Sequence, residues 1–474
     1  MTATSLKRRM TAADASFLYF EKPSAPLHIG STCVLSGELS REALISHMES
    51  RMHRIPRYRE LAAFDPLGIA HPRWEHDPNF DVKRHISEVT MPEASSYEDL
   101  LQAIANEHAK MLPRDRPLWR MVLFHGIAGE RTGVMSLVHH CMVDGVSGIE
   151  LLAAVTDLAE DTAPDQPQPF QPDPATTTME RVSAAWRDAA EVSMTASADA
   201  MRWALDPQQQ AKDVRTLISS MTSAAPSMIR PAPSMPFNRP VGGGRNYAVV
   251  AMPFGEMRGI RGVLGGTIND VVLSTLSGGL GSFLRAHGVA TEGVELRAMV
   301  PVNVRSERDK SALGNQVSML IAPLPIGITD AAERHRAVIA GMDRLKAANQ
   351  AGGFALLGRL TESLPAGMQA LAGLFAPTSQ SLFNLVCTNV PGPQIPLYMA
   401  GRKVEELWPL VPLSSGLGMN VCLTSYNAVL YWGIVADPLL VPDVGDVAKA
   451  VGAAFEELKA VALEHGAAVP RPAG

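Results

Sequence analysis

Apolar and polar positions in the first 160 residues alternate between the period of helices and the short runs of strands. Apolar residues that recur three and four positions apart predict a helix, and short apolar runs predict a strand. Helices are predicted over Ser40–Met52, Tyr97–Met111 and Ser147–Leu158. Strands are predicted over Ile29–Leu39, Trp119–Gly126 and Thr132–His139, with a hairpin turn at Ala128–Arg131. This order predicts a domain of mixed α/β character.

A segment with little regular pattern follows this region. Residues 162–178 contain five prolines and few apolar side chains, which is typical of a linker. Residues 179–205 have the alanine-rich pattern of a helix, and residues 224–245 are again rich in proline and glycine. We therefore predict three parts, which are an N-terminal domain (1–160), a crossover (161–245) and a C-terminal domain (246–474).

The C-terminal part has the same mixed pattern, although no internal sequence repeat is visible. Strands are predicted over Tyr247–Met252, Val294–Val304, Phe383–Val390, Gly416–Ser425 and Ala428–Val435. Helices are predicted over Asn269–Ala286, Ala331–Ala348, Phe354–Phe375 and Val444–Leu463. The helical segment Phe354–Phe375 is mostly apolar and is interrupted by Pro365, so both a buried helix and a helix on a lipid surface fit it. The alanine-rich segment 179–205 leaves the same two alternatives open.

Composition removes several functional classes. Hydrophobic residues make up 46% and charged residues 19% of the 474 residues, as in ordinary globular proteins. The formal net charge of −6 argues against nucleic-acid binding through bulk positive charge. The four cysteines form no CxxC pair, the first 15 residues lack the apolar core of a secretory signal, and no 18-residue window is apolar enough to cross a bilayer. We expect a cytoplasmic protein with reduced thiols that contacts a membrane only peripherally.

The strongest chemical feature is the segment LVHHCMVDGVSG at residues 137–148. It contains His139, His140, Asp144 and Gly145 in the pattern HHxxxDG, between an apolar run and a helical pattern. This places the motif on a loop at the end of a buried strand, and a neutral imidazole there can take a proton from an alcohol. A carboxylate four residues later can shape the loop or fix an imidazole tautomer, and glycine permits a backbone conformation that a side chain would obstruct.

Other chemistries fit the sequence less well. No GxSxG motif accompanies the histidines, which favours direct attack by an acceptor over a covalent acyl-enzyme. A metal site lacks an evident third ligand, and adjacent residues on an extended chain point apart. No GxGxxG or GxxxxGK[ST] motif follows a strand. We therefore expect neither a metal nor a cofactor.

The motif and the segments around it resemble the bacterial wax ester synthase/diacylglycerol acyltransferase family, which belongs to the superfamily of chloramphenicol acetyltransferase and peptide-synthetase condensation domains. The matching segments span nearly the whole chain, and their order makes them specific. They are Met10–Glu21, Pro26–Gly30, Pro56–Arg59, Pro72–Trp74 with His85, Pro117–Trp119, Thr267–Leu273, Val300–Arg305, Gly314–Asn315 and Asn389–Pro393. Two positions depart from the family pattern, with Pro113 in place of an aspartate and Thr388 in place of a serine.

The resemblance implies two chloramphenicol-acetyltransferase-like domains, each a mixed sheet flanked by helices, with the active site in the channel between them. His140 then corresponds to the superfamily's base, which deprotonates an acceptor hydroxyl before it attacks the thioester of a long-chain acyl-CoA. We predict His139 and Asp144 as catalytic residues together with His140. Within this group, Asp144 corresponds to a residue that braces the loop, while His139 either shapes the site or packs beside it. Gly145 is expected to be a backbone requirement. The implied partners are acyl-CoA, an acceptor lipid and a membrane or lipid-droplet surface.

Other matching residues have two possible roles each. Asn269 and Asp270 either cap a helix or brace the domains. Alternatively, they make a polar contact near the channel or donate a hydrogen bond to the developing oxyanion. The triplet Pro117, Leu118 and Trp119 belongs to the core or to a substrate channel. Asn389 and Gly392 form a tight turn with a possible channel role.

The resemblance also leaves the acceptor open. Diacylglycerol gives triacylglycerol synthesis, and a fatty alcohol gives wax ester synthesis by the same chemistry. Two further alternatives are a polyketide-derived alcohol as the acceptor and a non-catalytic lipid-droplet protein that has kept the fold. The presence of both His140 and Asp144 argues against the non-catalytic alternative.

Overall fold

A computed structural model describes residues 9–143, 148–166, 168–174, 176–208, 210–211, 215, 231–303, 317–347 and 382–468. Several predicted features lie outside these residues. They are Asp144, Gly145, the last two residues of the segment Val300–Arg305, Gly314–Asn315 and the apolar segment Phe354–Phe375.

The strands fall into two six-stranded sheets and a short hairpin. In chain order they are β1 (His28–Ser36), β2 (Glu60–Ala63), β3 (Arg73–His76), β4 (Ile86–Ser95), β5 (Trp119–Ile127), β6 (Arg131–His139), β7 (Asn246–Pro253), β8 (Leu296–Asn303), β9 (Val317–Leu324), β10 (Leu385–Val390), β11 (Tyr398–Met399), β12 (Arg402–Leu410), β13 (Met419–Tyr426) and β14 (Val429–Ala436).

Helices flank both sheets. In chain order they are α1 (Ala12–Phe20), α2 (Arg41–Arg51), α3 (Tyr97–His108), α4 (Gly148–Val155), α5 (Thr178–Leu205), α6 (Phe254–Leu264), α7 (Ile268–Ala286), α8 (Ala331–Ala347) and α9 (Val444–Ala468). No helix in the described part of the chain is long and apolar enough to cross a membrane.

Hydroxyl side chains fix where several helices begin. The Ser40 side chain accepts from the Ala43 N–H at 3.2 Å, so α2 begins where the sequence predicts it. Ser96 caps α3 and forms a reciprocal capping box with Asp99. These caps use donors that the first turn of a helix leaves without partners, so they fix the residues at which α2 and α3 begin.

The first sheet has the strand order β11-β12-β1-β6-β5-β4. Strand β1 pairs antiparallel with both β6 and β12, whereas β4 and β5 are parallel, so the sheet is mixed as predicted. Strands β11 and β12 come from the C-terminal half of the chain. The predicted C-terminal domain (246–474) therefore contributes a hairpin to the N-terminal sheet, which the division of the chain did not anticipate.

Packing explains why β12 joins this sheet. Leu407, Trp408 and Leu410 are buried in the same hydrophobic cluster as residues of β1 and β6. The Trp408 indole N–H donates to the Glu406 carboxylate at 2.9 Å, so its polar atom has a partner. Burying these large side chains stabilises the pairing of β12 with β1. The pairing forms although β12 is closer in sequence to the strands of the second sheet.

The second sheet has the strand order β7-β14-β13-β10-β8-β9 and is also mixed. Every residue of β13 is buried, since this strand lies in the middle of the sheet with α7 and α9 among the elements around it. Helix α7 approaches α9 closely because Gly279 has no side chain. A Cβ atom on Gly279 would lie 2.6 Å from the Cα of Val451. Both sheets thus match the mixed α/β class that the sequence predicts.

The beginning of the crossover is docked on the N-terminal half rather than free. Asp165 forms an ion pair with Arg54 at 2.6 Å, and the Arg59 guanidinium lies 4.4 Å from the centroid of the Phe170 ring. Further ion pairs join Arg181 to Glu75 and Arg73 to Asp188, at 2.8 and 2.6 Å. The proline-rich composition predicted a linker but could not reveal these charge pairs.

Candidate active site

The histidine pair lies where β6 ends. His139 is the last residue of the strand and is paired with His28 of β1. His140 begins a short 3₁₀ turn that runs to Met142. The backbone N–H of His139 donates to the Leu118 carbonyl and that of His140 to the Leu27 carbonyl, both at 2.9 Å. The main chain of the pair is thus held from both sides, at the end of the buried strand that the sequence predicts.

Each ring nitrogen of His139 lies beside a polar group. Its Nδ1 accepts from the backbone N–H of Cys141 at 3.2 Å, so the ring proton is assigned to Nε2. Nε2 lies 3.3 Å from a carboxylate oxygen of Glu21, and both side chains are buried. An imidazole ring fixed in this way holds the turn. We predicted His139 as a catalytic residue, but its contacts favour the alternative of a residue that shapes the site.

Glu21 is a buried carboxylate with three partners. One oxygen accepts from the backbone N–H of Leu27 at 3.0 Å, and the other accepts from the Arg114 guanidinium at 2.8 Å. Burial by itself raises the pKa of Glu21, but the contacts with His139, Arg114 and the Leu27 N–H outweigh it and lower the pKa to about 2. The side chain is therefore ionised at neutral pH, and its charge is compensated within the protein.

His140 has a different environment. It is half-buried, and its ring stacks on the Phe17 ring with the centroids 3.8 Å apart and the planes inclined by 14°. No hydrogen bond from another described residue reaches its ring. Burial lowers the pKa of His140 to about 4, opposed by its own backbone carbonyl and assisted by the charge of His139. The ring is therefore neutral near pH 7, which is the form that can accept a proton.

The residues Pro117, Leu118 and Trp119 lie in and beside the core. The Trp119 ring stacks between Tyr58 and His85, at centroid distances of 4.6 and 4.2 Å. Its indole N–H donates to the Tyr58 carbonyl at 2.8 Å. Leu118 and Trp119 are both buried, which agrees with the core alternative, and Leu118 reaches the site only through its carbonyl. Their role in a substrate channel stays a prediction.

The Asn269–Asp270 motif begins helix α7. Capping of this helix by Asn269 or Asp270 was one of the predicted alternatives. The N-cap residue is Thr267, whose side chain accepts from the Asp270 N–H at 3.2 Å, and Asp270 is the second member of the capping box. Asp270 returns the bond, accepting from the Thr267 N–H at 2.7 Å. Threonine precedes the carboxylate by three positions, which is the spacing of a capping box, and this spacing could have identified the cap.

Asn269 joins two of the motifs. Its side-chain oxygen accepts from the Asn389 amide at 2.8 Å, which connects the start of α7 to the end of β10. Gly392 lies against β13, where a Cβ atom would be 2.2 Å from the Ser425 carbonyl oxygen. Among the described residues, no hydrogen bond joins either asparagine to the histidine pair. An oxyanion or channel role for these residues stays a prediction.

Cysteine and metal chemistry find no support in the described part of the chain. Burial raises the pKa of the Cys141 thiol far above its usual value, so the thiolate nucleophile does not form at neutral pH. No group of three histidine, cysteine, aspartate or glutamate side chains among the described residues is arranged to hold a metal ion. Asp144 lies outside those residues, and the expectation of no metal or cofactor stays a prediction.

Sequence reasoning missed the residues that contact the histidine pair. Phe17 and Glu21 both belong to the opening motif Met10–Glu21, which carried the resemblance but no assigned role. Their spacing of four residues places both side chains on one side of α1, toward the 3₁₀ turn. Arg114 had no sequence signal, because it reaches Glu21 from a loop 93 positions away.

Two models of one protein family match most of this chain. The family model for the wax ester synthase/diacylglycerol acyltransferase catalytic domain matches residues 10–272, and the model for the C-terminal domain of the same family matches residues 313–459. A Mycobacterium tuberculosis H37Rv protein, named provisionally as a diacylglycerol O-acyltransferase, is 34% identical over 463 residues, covering 95% of this chain and 90% of the relative. A second protein of that strain, named a probable diacylglycerol O-acyltransferase, is 30% identical. The match covers 95% of this chain and 96% of the relative.

A solved structure shows the same fold. The wax ester synthase/diacylglycerol acyltransferase from Marinobacter aquaeolei VT8 superposes with a TM-score of 0.67 at 21% identity, covering 96% of this chain and 99% of that one. Together, the two family models, the mycobacterial relatives and the common fold show that this chain belongs to the wax ester synthase/diacylglycerol acyltransferase family of acyltransferases.

Proposed function

We propose that this protein transfers a long-chain acyl group from acyl-CoA to the free hydroxyl of diacylglycerol, forming triacylglycerol, with His140 as the general base. The observation that carries the proposal is the environment of His140, a neutral and half-buried imidazole stacked on Phe17 at the end of β6. Membership of an acyltransferase family supplies the reaction class. The names of the mycobacterial relatives favour diacylglycerol as the acceptor.

The reaction follows from one proton transfer in each direction. The His140 imidazole takes the proton of the acceptor hydroxyl as the oxygen attacks the thioester carbonyl carbon. A new C–O bond forms, the C–S bond then breaks, and the imidazolium returns its proton to the CoA thiolate. A positioned general base typically contributes about 10²- to 10⁴-fold, so alignment of the two substrates must supply much of the remaining acceleration. The mechanism needs neither a metal nor a cofactor.

The remaining motif residues support this step in the proposal. Asp144 and Gly145 lie outside the described residues, and the proposal keeps for them the roles that the family resemblance implies, a brace for the loop and a backbone requirement. The paired amides of Asn269 and Asn389 border the channel between the two domains. His139 takes no proton from substrate, since each of its ring nitrogens already lies beside a polar group of the protein.

The proposed substrates are lipids, and the crossover helix presents a surface that suits them. Five of the large apolar side chains that helix α5 exposes recur at intervals of seven, eight, seven and four residues, which places these five on one face of the helix. These side chains are Met179, Trp186, Met194, Met201 and Leu205. We place this face against a membrane or lipid droplet on the cytoplasmic side, where an amphipathic helix lies in the plane of the interface.

A flotation assay with phosphatidylcholine and triolein particles tests this surface. The double substitution Met194→Glu with Met201→Glu is expected to release the protein from the particles. Leu439→Glu is the matched control, because Leu439 is 84% exposed but lies outside α5. Equal flotation of all three proteins would contradict the assignment of α5.

Wax ester synthesis is the second candidate, because the family model and the Marinobacter structure carry both activities in their descriptions. Purified protein should be given palmitoyl-CoA with dioleoylglycerol or with hexadecanol, and CoA release measured with a thiol reagent. We expect His140→Ala to abolish release, whereas His465→Ala, an exposed histidine in α9, should leave it unchanged. Product formed only with hexadecanol would favour the wax ester alternative. Absence of release with both acceptors would refute lipid acyl transfer and leave a binding role or another acceptor.

A further inference from the structure

Helix α1 contacts both members of the histidine pair. Phe17 and Glu21 are separated by one helical turn, and the Glu21 backbone N–H donates to the Phe17 carbonyl at 3.1 Å. Phe17 stacks on His140, and Glu21 lies 3.3 Å from Nε2 of His139. Two consecutive residues at a strand end point in different directions, so a single helix that reaches both fixes the whole turn.

The helix itself is anchored at both ends. Thr11 caps its first turn, accepting from the Asp14 N–H at 3.1 Å. At the other end, the Arg114 guanidinium donates to the Leu18 carbonyl at 3.0 Å and to Glu21 at 2.8 Å. Arg114 therefore binds a carbonyl that has no partner within the last turn of the helix. The same guanidinium neutralises the charge of the buried Glu21 carboxylate. These contacts make α1 a fixed support for the turn.

We propose that Phe17 and Glu21 are positioning residues for the acyltransferase site, with Glu21 setting the tautomer and orientation of His139 and Phe17 setting the ring plane of His140. The proposal rests on the proposed function for its catalytic meaning, because it assigns the base to His140. Neither residue exchanges a proton with substrate. The stacked Phe17 ring covers a face of the imidazole and not its edge, which carries the nitrogens.

The charges around the turn decide what each substitution should do. The titratable and charged side chains that act on His140 and Cys141 are Asp14, Glu21, Arg57, Arg114 and His139. Removing the Glu21 charge leaves Arg114 without its buried partner and frees Nε2 of His139. Removing the Phe17 ring instead admits water beside His140 and frees its χ2 rotation, with no change in charge.

Steady-state kinetics of CoA release provide the first test. We expect Phe17→Leu and Glu21→Gln to lower kcat by about 10- to 100-fold with KM within about 2-fold, as for a misplaced catalytic group. Phe17→Tyr keeps a stacking ring and should restore most of kcat. Phe20→Leu is the matched control on the same helix, because Phe20 is exposed and is expected to leave kcat unchanged. Thermal melting establishes that each variant is folded.

A second measurement does not depend on activity. Histidine ¹⁵N chemical shifts, followed against pH in the full chain, report the tautomer of His139 and the titration of His140. We expect the His140 pKa to rise by about one unit in Phe17→Leu and not in Phe17→Tyr. In Glu21→Gln, the His139 signals should lose the pattern of a single Nε2–H tautomer.

The outcomes separate this proposal from the proposed function. Unchanged histidine signals and unchanged kcat in folded Phe17→Leu and Glu21→Gln would overturn the positioning role. If the wild-type protein transfers no acyl group to any acceptor, the proposed function fails. The NMR comparison still decides whether α1 fixes the histidine pair in that case. Should Glu21→Gln fail to fold, Glu21→Asp keeps the charge, shortens the reach by one methylene and gives the same tautomer test.

Discussion

Acidification should destabilise this protein through a buried histidine that lies beside the active-site turn. His28 of β1 is fully buried and is the cross-strand neighbour of His139. Its Nε2 donates to the His108 carbonyl at 2.8 Å, and its ring meets the His108 ring edge-on at 4.9 Å. Nothing among the described residues accepts a hydrogen bond from its Nδ1, so a second ring proton would have no partner.

The size of the effect follows from the pKa of His28. Burial, opposed by the bond to His108 and assisted by the charge of Arg120, lowers this pKa from 6.5 to about 4. Between these two pH values the unfolded chain binds a proton that the folded chain does not, so the free energy of unfolding falls as the pH drops. A difference of this size corresponds to about 3 kcal/mol, lost between pH 6.5 and 4 and fully present above pH 6.5.

Urea unfolding at pH 7.5 and pH 4.5, followed by tryptophan fluorescence, measures this loss. The variant His28→Gln keeps a donor for the His108 carbonyl but cannot be protonated. We expect the variant to lose about 2–3 kcal/mol less stability than the wild type between the two pH values. His465→Gln, at an exposed site in α9, is the control and should follow the wild type. If His28→Gln shows the same dependence on pH as the wild type, the assignment of this proton to His28 is wrong.

Three further predictions concern activity and packing. In CoA-release assays, the acidic limb of the kcat/KM profile should lie near pH 4, because burial lowers the pKa of His140 to about 4. A limb near pH 6.5 would contradict this prediction. Arg51→Ala should lower the free energy of unfolding, measured with urea, by about 3–5 kcal/mol, because it leaves the buried Asp157 carboxylate unpaired. A loss below about 1 kcal/mol would be inconsistent with a buried ion pair. Gly392→Ala should lower the free energy of unfolding by about 1–3 kcal/mol, because its Cβ would meet the backbone of β13. Gly255→Ala, whose Cβ would lie in open space, is the control and should not destabilise the protein. Equal melting temperatures for the two variants would count against the close approach at Gly392.

Local patterns predicted most elements of the fold. Helix α2 begins after Ser40, and strands β5 and β6 lie within one or two residues of their predicted bounds, because capping and alternation act between near neighbours. Elements with mixed local signals were missed. Helix α6 contains three glycines, and strand β9 contains a proline, each of which obscures the expected periodicity.

Long-range contacts could not be predicted in the same way. The position of the histidine pair at a strand end was predicted, yet its partners Phe17 and Glu21 lie more than 100 positions earlier in the chain. Their spacing is compatible with many helices, and only the packing of α1 against the turn gives it meaning. The capping role of Thr267 was within reach of local reasoning, whereas the Asn269–Asn389 contact required the assembled sheet.

The pairing of β12 with β1 has a consequence for how the protein is made. During translation, β1 leaves the ribosome long before Arg402–Leu410 is synthesised, so one edge of the first sheet stays open for most of synthesis. An open edge is a template for pairing with another nascent chain. A fragment ending at residue 245 would keep this edge permanently, and we expect it to aggregate unless the C-terminal half is co-expressed. The histidine pair at the end of β6 therefore reaches its final setting only when nearly the whole polypeptide has been synthesised.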